Sequence, residues 1–93
     1  MVKSVLVTGG SSGVGRAIVV RLAKEGYRVI TCARQIDKLN TLKTELESQG
    51  YLIFPFKTDL RIEKSIHQLF AKIRKQFGGI DVLVNSAAVG HSA

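Results

Sequence analysis

Glycine residues cluster in one short segment near the start of the chain, T-G-G-S-S-G-V-G at residues 8–15. Residues 2–7 before it are rich in β-branched side chains and predict a buried strand. Apolar side chains recur at helical spacing after it and predict a helix that ends at Gly26. A glycine turn between a strand and a helix presents free backbone amides where a phosphate group is favoured. The segment therefore predicts an α/β fold with an anion site after its first strand.

The rest of the chain continues the alternation of strands and helices. Residues 27–33, 51–57 and 80–84 are the predicted second, third and fourth strands. The helices are predicted from apolar side chains that recur at steps of three and four residues. The predicted inner faces are Val14, Ala17, Ile18, Val20 and Leu22, then Ile36, Leu39, Leu42 and Leu46, then Ile62, Ile66, Leu69, Phe70, Ile73 and Phe77.

This order of elements predicts a Rossmann-type, doubly wound parallel sheet that stops after its fourth strand. Right-handed crossovers give the strand order 3-2-1-4, and ligands bind where the winding reverses, between strands one and four. Pro55 has no amide hydrogen to donate, so the third strand is predicted at an edge of the sheet. Residues 1–93 are expected to form one partial domain.

The charge balance favours a phosphate-bearing partner, because 14 Lys and Arg residues against 7 Asp and Glu leave a formal net charge of +7. The basic residues are scattered along the chain, and no aromatic platform accompanies them, so nucleic acid is the least favoured partner. Cys32 is the single cysteine and is predicted to be an inert core residue. His67 and His91 have no partner at metal-binding spacing.

No apolar segment approaches the roughly 20 residues of a membrane-spanning helix. No targeting segment is recognised either, and a reducing compartment suits a lone cysteine. These features predict a cytoplasmic location.

Each glycine of the turn has a separate steric role. Gly9 is predicted to make the tight turn, and Gly13 to let the backbone approach a pyrophosphate without a Cβ between them. Gly15 is predicted to let the helix lie close to the strand. Further candidates for phosphate contacts are Ser11, Ser12 and Arg16. Ser12 is equally suited to be only a helix cap.

The turn resembles the T-G-x-x-x-G-x-G cofactor motif of the short-chain dehydrogenases/reductases, and the resemblance covers essentially the whole chain. In that family the motif N-N-A-G follows the fourth strand. Asn85 and Ala87 match its first and third positions, whereas Ser86 and Ala88 replace the second Asn and the Gly. Residues 54–60 and 73–85 look most like the branch of farnesol dehydrogenases and small-carbonyl reductases.

The resemblance implies a dinucleotide cofactor and assigns further residues to it. Val14 belongs to the glycine motif, Asp59 would accept a hydrogen bond from the adenine amino group, and Leu60 would lie beside the ring. Asn85 and Ala87 would line the ribose side of the cleft. Two structural alternatives remain open, in which Asp59 caps the third helix and Asn85 stabilises a turn.

Arg34 indicates which dinucleotide is bound. Nucleotide-binding sheets place the residue that contacts the adenosine ribose after the second strand, where a carboxylate suits a 2′-hydroxyl and a guanidinium suits a 2′-phosphate. Ala33 and Arg34 occupy that position, so NADP(H) is predicted over NAD(H). Asp37 is predicted in the first turn of the second helix, where it complements the helix dipole. The alternative for Arg34 is a solvated side chain at a strand end.

The catalytic groups of the family are not found in this sequence. The resemblance implies a Ser and a Y-x-x-x-K pair that exchange a proton as hydride moves between nicotinamide and an alcohol or carbonyl substrate. Thr31 stands four residues after Tyr27, and Pro55 four residues after Tyr51. The catalytic second half is therefore expected to be absent, with cofactor binding but no turnover by this chain alone.

A second function remains open, in which the chain pairs with a full-length relative or another partner instead of catalysing a reaction. The fourth strand is expected to have an unpaired edge that leaves Val82, Leu83 and Val84 partly uncovered. Such an edge favours self-association and predicts marginal stability.

Overall fold

The computed structural model describes residues 2–11 and 13–86. Four strands alternate with three helices in the order β1 (Ser4–Thr8), α1 (Gly13–Lys24), β2 (Arg28–Ala33), α2 (Ile36–Glu47), β3 (Ile53–Lys57), α3 (Glu63–Phe77) and β4 (Val82–Asn85). All strand pairs are parallel, and the order across the sheet is β3-β2-β1-β4. The predicted α/β class and strand order are both confirmed. Ser12 and Ala87 lie outside the described residues.

Pro55 lies in β3 at the edge of the sheet, as its missing amide hydrogen predicts. Its register partner is Thr31 of β2. The central strand β1 is buried along its whole length, because it pairs with β2 on one side and β4 on the other. The glycine turn therefore begins at the end of a fully buried strand.

The core has two layers, one on each face of the sheet, because successive side chains of a strand point to opposite faces. Val5 and Val7 of β1 belong to the layer that α1 and α2 cover. Leu6 points the other way, into the layer covered by α3. Helices on both faces confirm the doubly wound arrangement, and each large apolar side chain buried in it stabilises the fold by about 1.5–3 kcal/mol.

The inner face of α2 is as predicted, with Leu39, Leu42 and Leu46 buried, but the predicted inner face of α1 is partly wrong. The buried residues of α1 are Gly15, Val19 and Ala23, whereas Val14 is 57% exposed. Ala17 is exposed as well. The helix is rotated so that Gly15 faces the end of β1, and positions four residues apart then face the sheet. The predicted inner face left out Val19 and Ala23, which share the buried face with Gly15.

The predicted inner face of α3 is also too wide. Leu69 and Ile73 are buried, but Ile62 and Phe70 are 52% and 37% exposed. Ile62 is the extended residue that precedes the helix, so it does not follow the helical period. Phe70 follows Leu69 and therefore points about 100° away from it around the helix axis.

Within the described part of the chain, no helix is both long and apolar enough to cross a membrane.

Candidate nucleotide-binding site

The predicted site residues meet at the carboxyl edge of the sheet, where the parallel strands end together. The glycine turn follows β1, Arg34 follows β2, Asp59 and Leu60 follow β3, and Asn85 is the last residue of β4. The carboxyl edge is where ligands bind in open α/β sheets. The fold thus brings together residues that are up to 76 positions apart, from Gly9 to Asn85.

Gly9 and Gly13 bend the turn with backbone angles that side chains rarely adopt. Their φ values are 71° and 58°, in the left-handed region that glycine favours. The Gly9 amide donates to the Cys32 carbonyl at 3.1 Å and so anchors the turn to the end of β2. A Cβ on Gly13 would have no described atom within 4 Å, so this glycine faces open space. Gly9 therefore turns the chain and Gly13 leaves its backbone exposed, whereas the approach of a pyrophosphate to Gly13 stays a prediction.

Gly15 and Gly10 allow close contacts that any side chain would prevent. A Cβ on Gly15 would collide with the Gly9 carbonyl and would lie 2.7 Å from the Ser86 Oγ. The predicted role of Gly15 in close approach is therefore supported by its surroundings. Gly10 was not among the predicted site residues, yet a Cβ there would collide with the Thr31 Oγ1. The paired glycines after β1 were the sequence signal for this second contact.

Side chains at the end of β4 hold that strand against the glycine turn. The Thr8 Oγ1 donates to the Asn85 Oδ1 at 2.8 Å, and the Ser86 Oγ donates to the Thr8 carbonyl oxygen. Thr8 and Asn85 are also register partners in the sheet. Asn85 thus links the ends of β1 and β4, and this exposed residue lies at the carboxyl edge. Its role towards the ribose and its role in a turn both stay predictions. Ser86, one of the two departures from the family motif, bonds to the end of β1.

The N-terminus of α1 suits an anion. The helix has 12 residues with no acidic side chain in its first turn, so its dipole is not offset there. Ser11 is half-buried in the turn, and Val14 is exposed in the first turn of the helix. Arg16, a further candidate, donates from its Nη2 to the Glu45 Oε2 of α2 at 3.0 Å, which engages part of its guanidinium.

Arg34 lies exposed immediately after β2. Within residues 2–11 and 13–86, its guanidinium has neither a hydrogen-bond nor an ion-pair partner. Asp37 lies in the first turn of α2, as predicted. A planar guanidinium with five donors and no carboxylate on it is suited to a phosphate group.

Asp59 does not cap α3, so this structural alternative is wrong. The residue preceding the helix is Ile62, and no side-chain cap bond is made there. The Asp59 Oδ1 instead accepts from the backbone amide and the Nε of Arg61, both at 3.0 Å. Its Oδ2 accepts from the Arg61 Nη2 at 2.9 Å. The Asp59 carboxylate thus makes its hydrogen bonds to Arg61, two residues on, and not to the N-terminal amides of α3.

Arg61 was not recognised as a site residue from the sequence. Its side-chain and backbone hydrogen bonds lower the pKa of Asp59 from 3.8 to about 2, and the charge of Arg34 contributes to the same shift. The Asp59 amide donates to the Ser65 Oγ of α3 at 2.9 Å, which fixes the backbone of the turn. The D-x-R spacing was the available signal, because a side chain two residues on reaches back over such a turn.

Core packing accounts for the positions of Leu60 and Cys32, and a surface contact accounts for that of His67. Leu60 is half-buried against the core layer that contains Leu69 and Ile73. Cys32 is fully buried, and burial raises the pKa of its thiol to about 11, as expected for an inert core residue. The His67 Nε2 lies 3.4 Å from the Glu63 Oε1 on the exposed side of α3. In the described ranges, no cluster of three or more His, Cys, Asp or Glu residues is placed to hold a metal ion.

Residues 3–93 match the family model of the short chain dehydrogenases. The chain belongs to the short chain dehydrogenase family. A farnesol dehydrogenase of Aedes aegypti is 43% identical over 88 residues, which are 94% of this chain and 36% of that protein. Dehydrogenase/reductase SDR family member 11 of Gallus gallus is 40% identical over 86 residues, which are 90% of this chain and 34% of that protein.

Solved structures of the same family share the fold. A crystal structure of actinorhodin polyketide ketoreductase with NADPH has a TM-score of 0.84 and 40% identity, and the match covers 91% of this chain and 33% of that one. A metagenomic short-chain oxidoreductase in complex with NADP has a TM-score of 0.82 and 31% identity, over 87% and 37% of the two chains. The present chain spans about a third of the length of the curated relatives it matches.

Proposed function

We propose that this chain binds NADP(H) at the carboxyl edge of its sheet, as the cofactor-binding part of an alcohol or carbonyl oxidoreductase. The observation that carries the proposal is that the glycine turn and Arg34 lie at the same edge of the sheet. The turn leaves the N-terminus of α1 open to a diphosphate, and the contacts of Gly10 and Gly15 leave no room for side chains that would alter it. Arg34 then supplies an exposed guanidinium for a 2′-phosphate.

The other predicted residues complete the proposed contacts. Asp59 would accept from the adenine amino group, and the exposed face of Leu60 would lie beside the ring. Asn85 would contribute to the ribose side of the cleft, with Ala87, Ser11 and Ser12 as further candidates from the sequence. Structures with NADP and NADPH among the family's solved members support the same cofactor. Bound nicotinamide supplies or accepts the hydride.

The residues of this sequence support binding more strongly than turnover. The Y-x-x-x-K pair that the family uses is not formed by either tyrosine. Tyr27 and Tyr51 are instead partly buried and lie against the core layer beneath α1 and α2. We therefore assign to this chain the binding of the cofactor, and we expect no hydride transfer by these 93 residues alone.

Titration calorimetry with two fragments of the cofactor tests this function. We expect the chain to bind 2′-phospho-ADP-ribose more tightly than ADP-ribose, and Arg34→Ala to weaken the first about tenfold or more while leaving the second nearly unchanged. Arg74→Ala is the matched control, because Arg74 is an arginine in the last turn of α3, away from the carboxyl edge. Equal loss of both ligands in Arg34→Ala, or tighter binding of an oligonucleotide than of either fragment, would contradict the proposal.

Exposure of β4 favours a second property, association through this strand. Val82 and Leu83 are 44% and 53% exposed, and in the described ranges β4 pairs with β1 alone. A strand edge with unpaired amides and exposed apolar side chains favours the addition of another strand. Sedimentation at increasing concentration should show dimers that Leu83→Lys removes. Leu52→Lys, a change at a residue 57% exposed before β3, should leave them intact.

A further inference from the structure

Arg34 and Asp59 leave the carboxyl edge from neighbouring strands. Ala33 and Lys57 are register partners at the ends of β2 and β3, and the Thr58 amide donates to the Ala33 carbonyl oxygen at 3.0 Å. Arg34 is the first residue after β2, and Asp59 is the second residue after β3, next to Thr58. The charge of Arg34 is close enough to contribute to the lowered pKa of Asp59. A carboxylate in this position is a natural ion-pair partner for Arg34, yet the two form no ion pair.

Arg61 explains why this ion pair is not formed. Its Nε and Nη2 bind the two carboxylate oxygens of Asp59 at 3.0 and 2.9 Å, and its backbone amide binds Oδ1 at 3.0 Å. A carboxylate has about four acceptor positions, so these bonds leave roughly one position, on Oδ2. The side chain of Asp59 is only 20% exposed, whereas that of Arg61 is 71% exposed. The carboxylate is therefore held in a fixed orientation by a neighbour from its own turn.

We propose that Arg61 is a specificity-determining residue for the cofactor, because it holds the Asp59 carboxylate and so leaves Arg34 unpaired for the 2′-phosphate. Two effects contribute. The fork of Arg61 keeps Asp59 from turning towards Arg34, and its positive charge offsets a carboxylate that would repel the phosphate. The remaining acceptor position on Oδ2 stays available to the adenine amino group. This inference rests on the proposed function.

The test is the ratio of the affinities for 2′-phospho-ADP-ribose and ADP-ribose. Both ligands contain the same adenine, so any loss of the adenine contact cancels in the ratio. In Arg61→Gln we expect the preference for the 2′-phosphate to fall about tenfold, because Asp59 then pairs with Arg34. Arg61→Lys keeps the charge without the fork and should retain part of the preference. Arg74→Gln is the matched control and should leave the ratio unchanged.

The double variant Asp59→Asn, Arg61→Gln separates this role from a direct contact. If Arg61 acts through Asp59, removing the carboxylate should restore the preference that Arg61→Gln loses. If the preference stays low in the double variant, Arg61 binds the phosphate itself and the proposal is overturned. An unchanged ratio in Arg61→Gln, or equal weakening of both ligands, overturns it too. A wild-type chain that binds neither fragment overturns the proposed function itself, which is a different result.

NMR spectroscopy of the wild-type chain gives a second test, which does not depend on the folding of any variant. The arginine Nε–H signals can be followed by NMR while 2′-phospho-ADP-ribose is added. We expect the Arg34 signal to shift strongly, and the Arg61 signal to stay where its bond to the Asp59 Oδ1 places it. A larger shift for Arg61 than for Arg34 would contradict the proposed division of roles.

Discussion

The two arginines at opposite edges of the sheet differ in their partners. At the amino edge, the Ser4 amide donates to the Asp81 Oδ2, and the Asp81 amide donates to the Ser4 carbonyl, both at 2.8 Å. Arg28 donates from its Nη1 to the Ser4 Oγ at 3.3 Å and lies over the Phe77 ring at 5.5 Å. At the carboxyl edge, Arg34 is left without such partners in the described part of the chain.

This difference indicates which edge of the sheet has an arginine that is free to bind a ligand. Both edges carry an arginine after or within β2, so charge alone does not distinguish them. An arginine that already has a hydroxyl and an aromatic face contributes to stability, whereas one without partners can bind a ligand. The amino edge therefore stabilises the fold, and the carboxyl edge supplies the proposed site.

The largest expected effect comes from Gly15→Ala, which places a Cβ against the Gly9 carbonyl. The turn or the helix must shift, so we expect a loss of about 3 kcal/mol in the free energy of unfolding, as for overpacked sites. Binding of 2′-phospho-ADP-ribose should be lost as well. Gly50→Ala is the control, because its φ of 89° is strained for alanine but its Cβ would meet no described atom within 4 Å. Denaturant unfolding that gives equal losses for both variants would contradict the steric role of Gly15.

The sequence predicts the scaffold better than it predicts the site. Strand order and edges follow from local patterns, such as the alternation of elements and the missing amide of Pro55. The rotation of α1 does not, because the apolar pattern alone does not show that Gly15 lies against the Gly9 carbonyl and the distant Ser86 side chain. Asp59 illustrates the same limit, since its choice of Arg61 over the helix N-terminus is decided by side-chain geometry that a motif does not encode.

A smaller effect is expected from Asp81→Ala at the amino edge. This change removes the acceptor of the Ser4 amide and should lower the free energy of unfolding by about 1–2 kcal/mol, because Asp81 is exposed but Ser4 is buried. The affinity for 2′-phospho-ADP-ribose should not change. Glu63→Ala removes an exposed acid that forms an ion pair with His67, and should change stability by less than about 0.5 kcal/mol. Weaker ligand binding in Asp81→Ala would show that the edges are not independent.

The smallest expected effect is the response of the folded chain to acid, which depends on Asp59 at the carboxyl edge. Its pKa is lowered from 3.8 to about 2, so its bonds to Arg61 stabilise the folded chain fully above pH 3.8. That contribution is lost as the pH falls through about 2, where the carboxylate takes up a proton. Carboxyl carbon NMR should therefore show Asp59 ionised at about pH 3, whereas the double variant Arg34→Ala, Arg61→Gln, which leaves neither guanidinium to pair with the carboxylate, should move its titration up towards 3.8. An unmoved titration in that double variant would mean that the turn backbone, rather than the two arginine side chains, holds the carboxylate ionised.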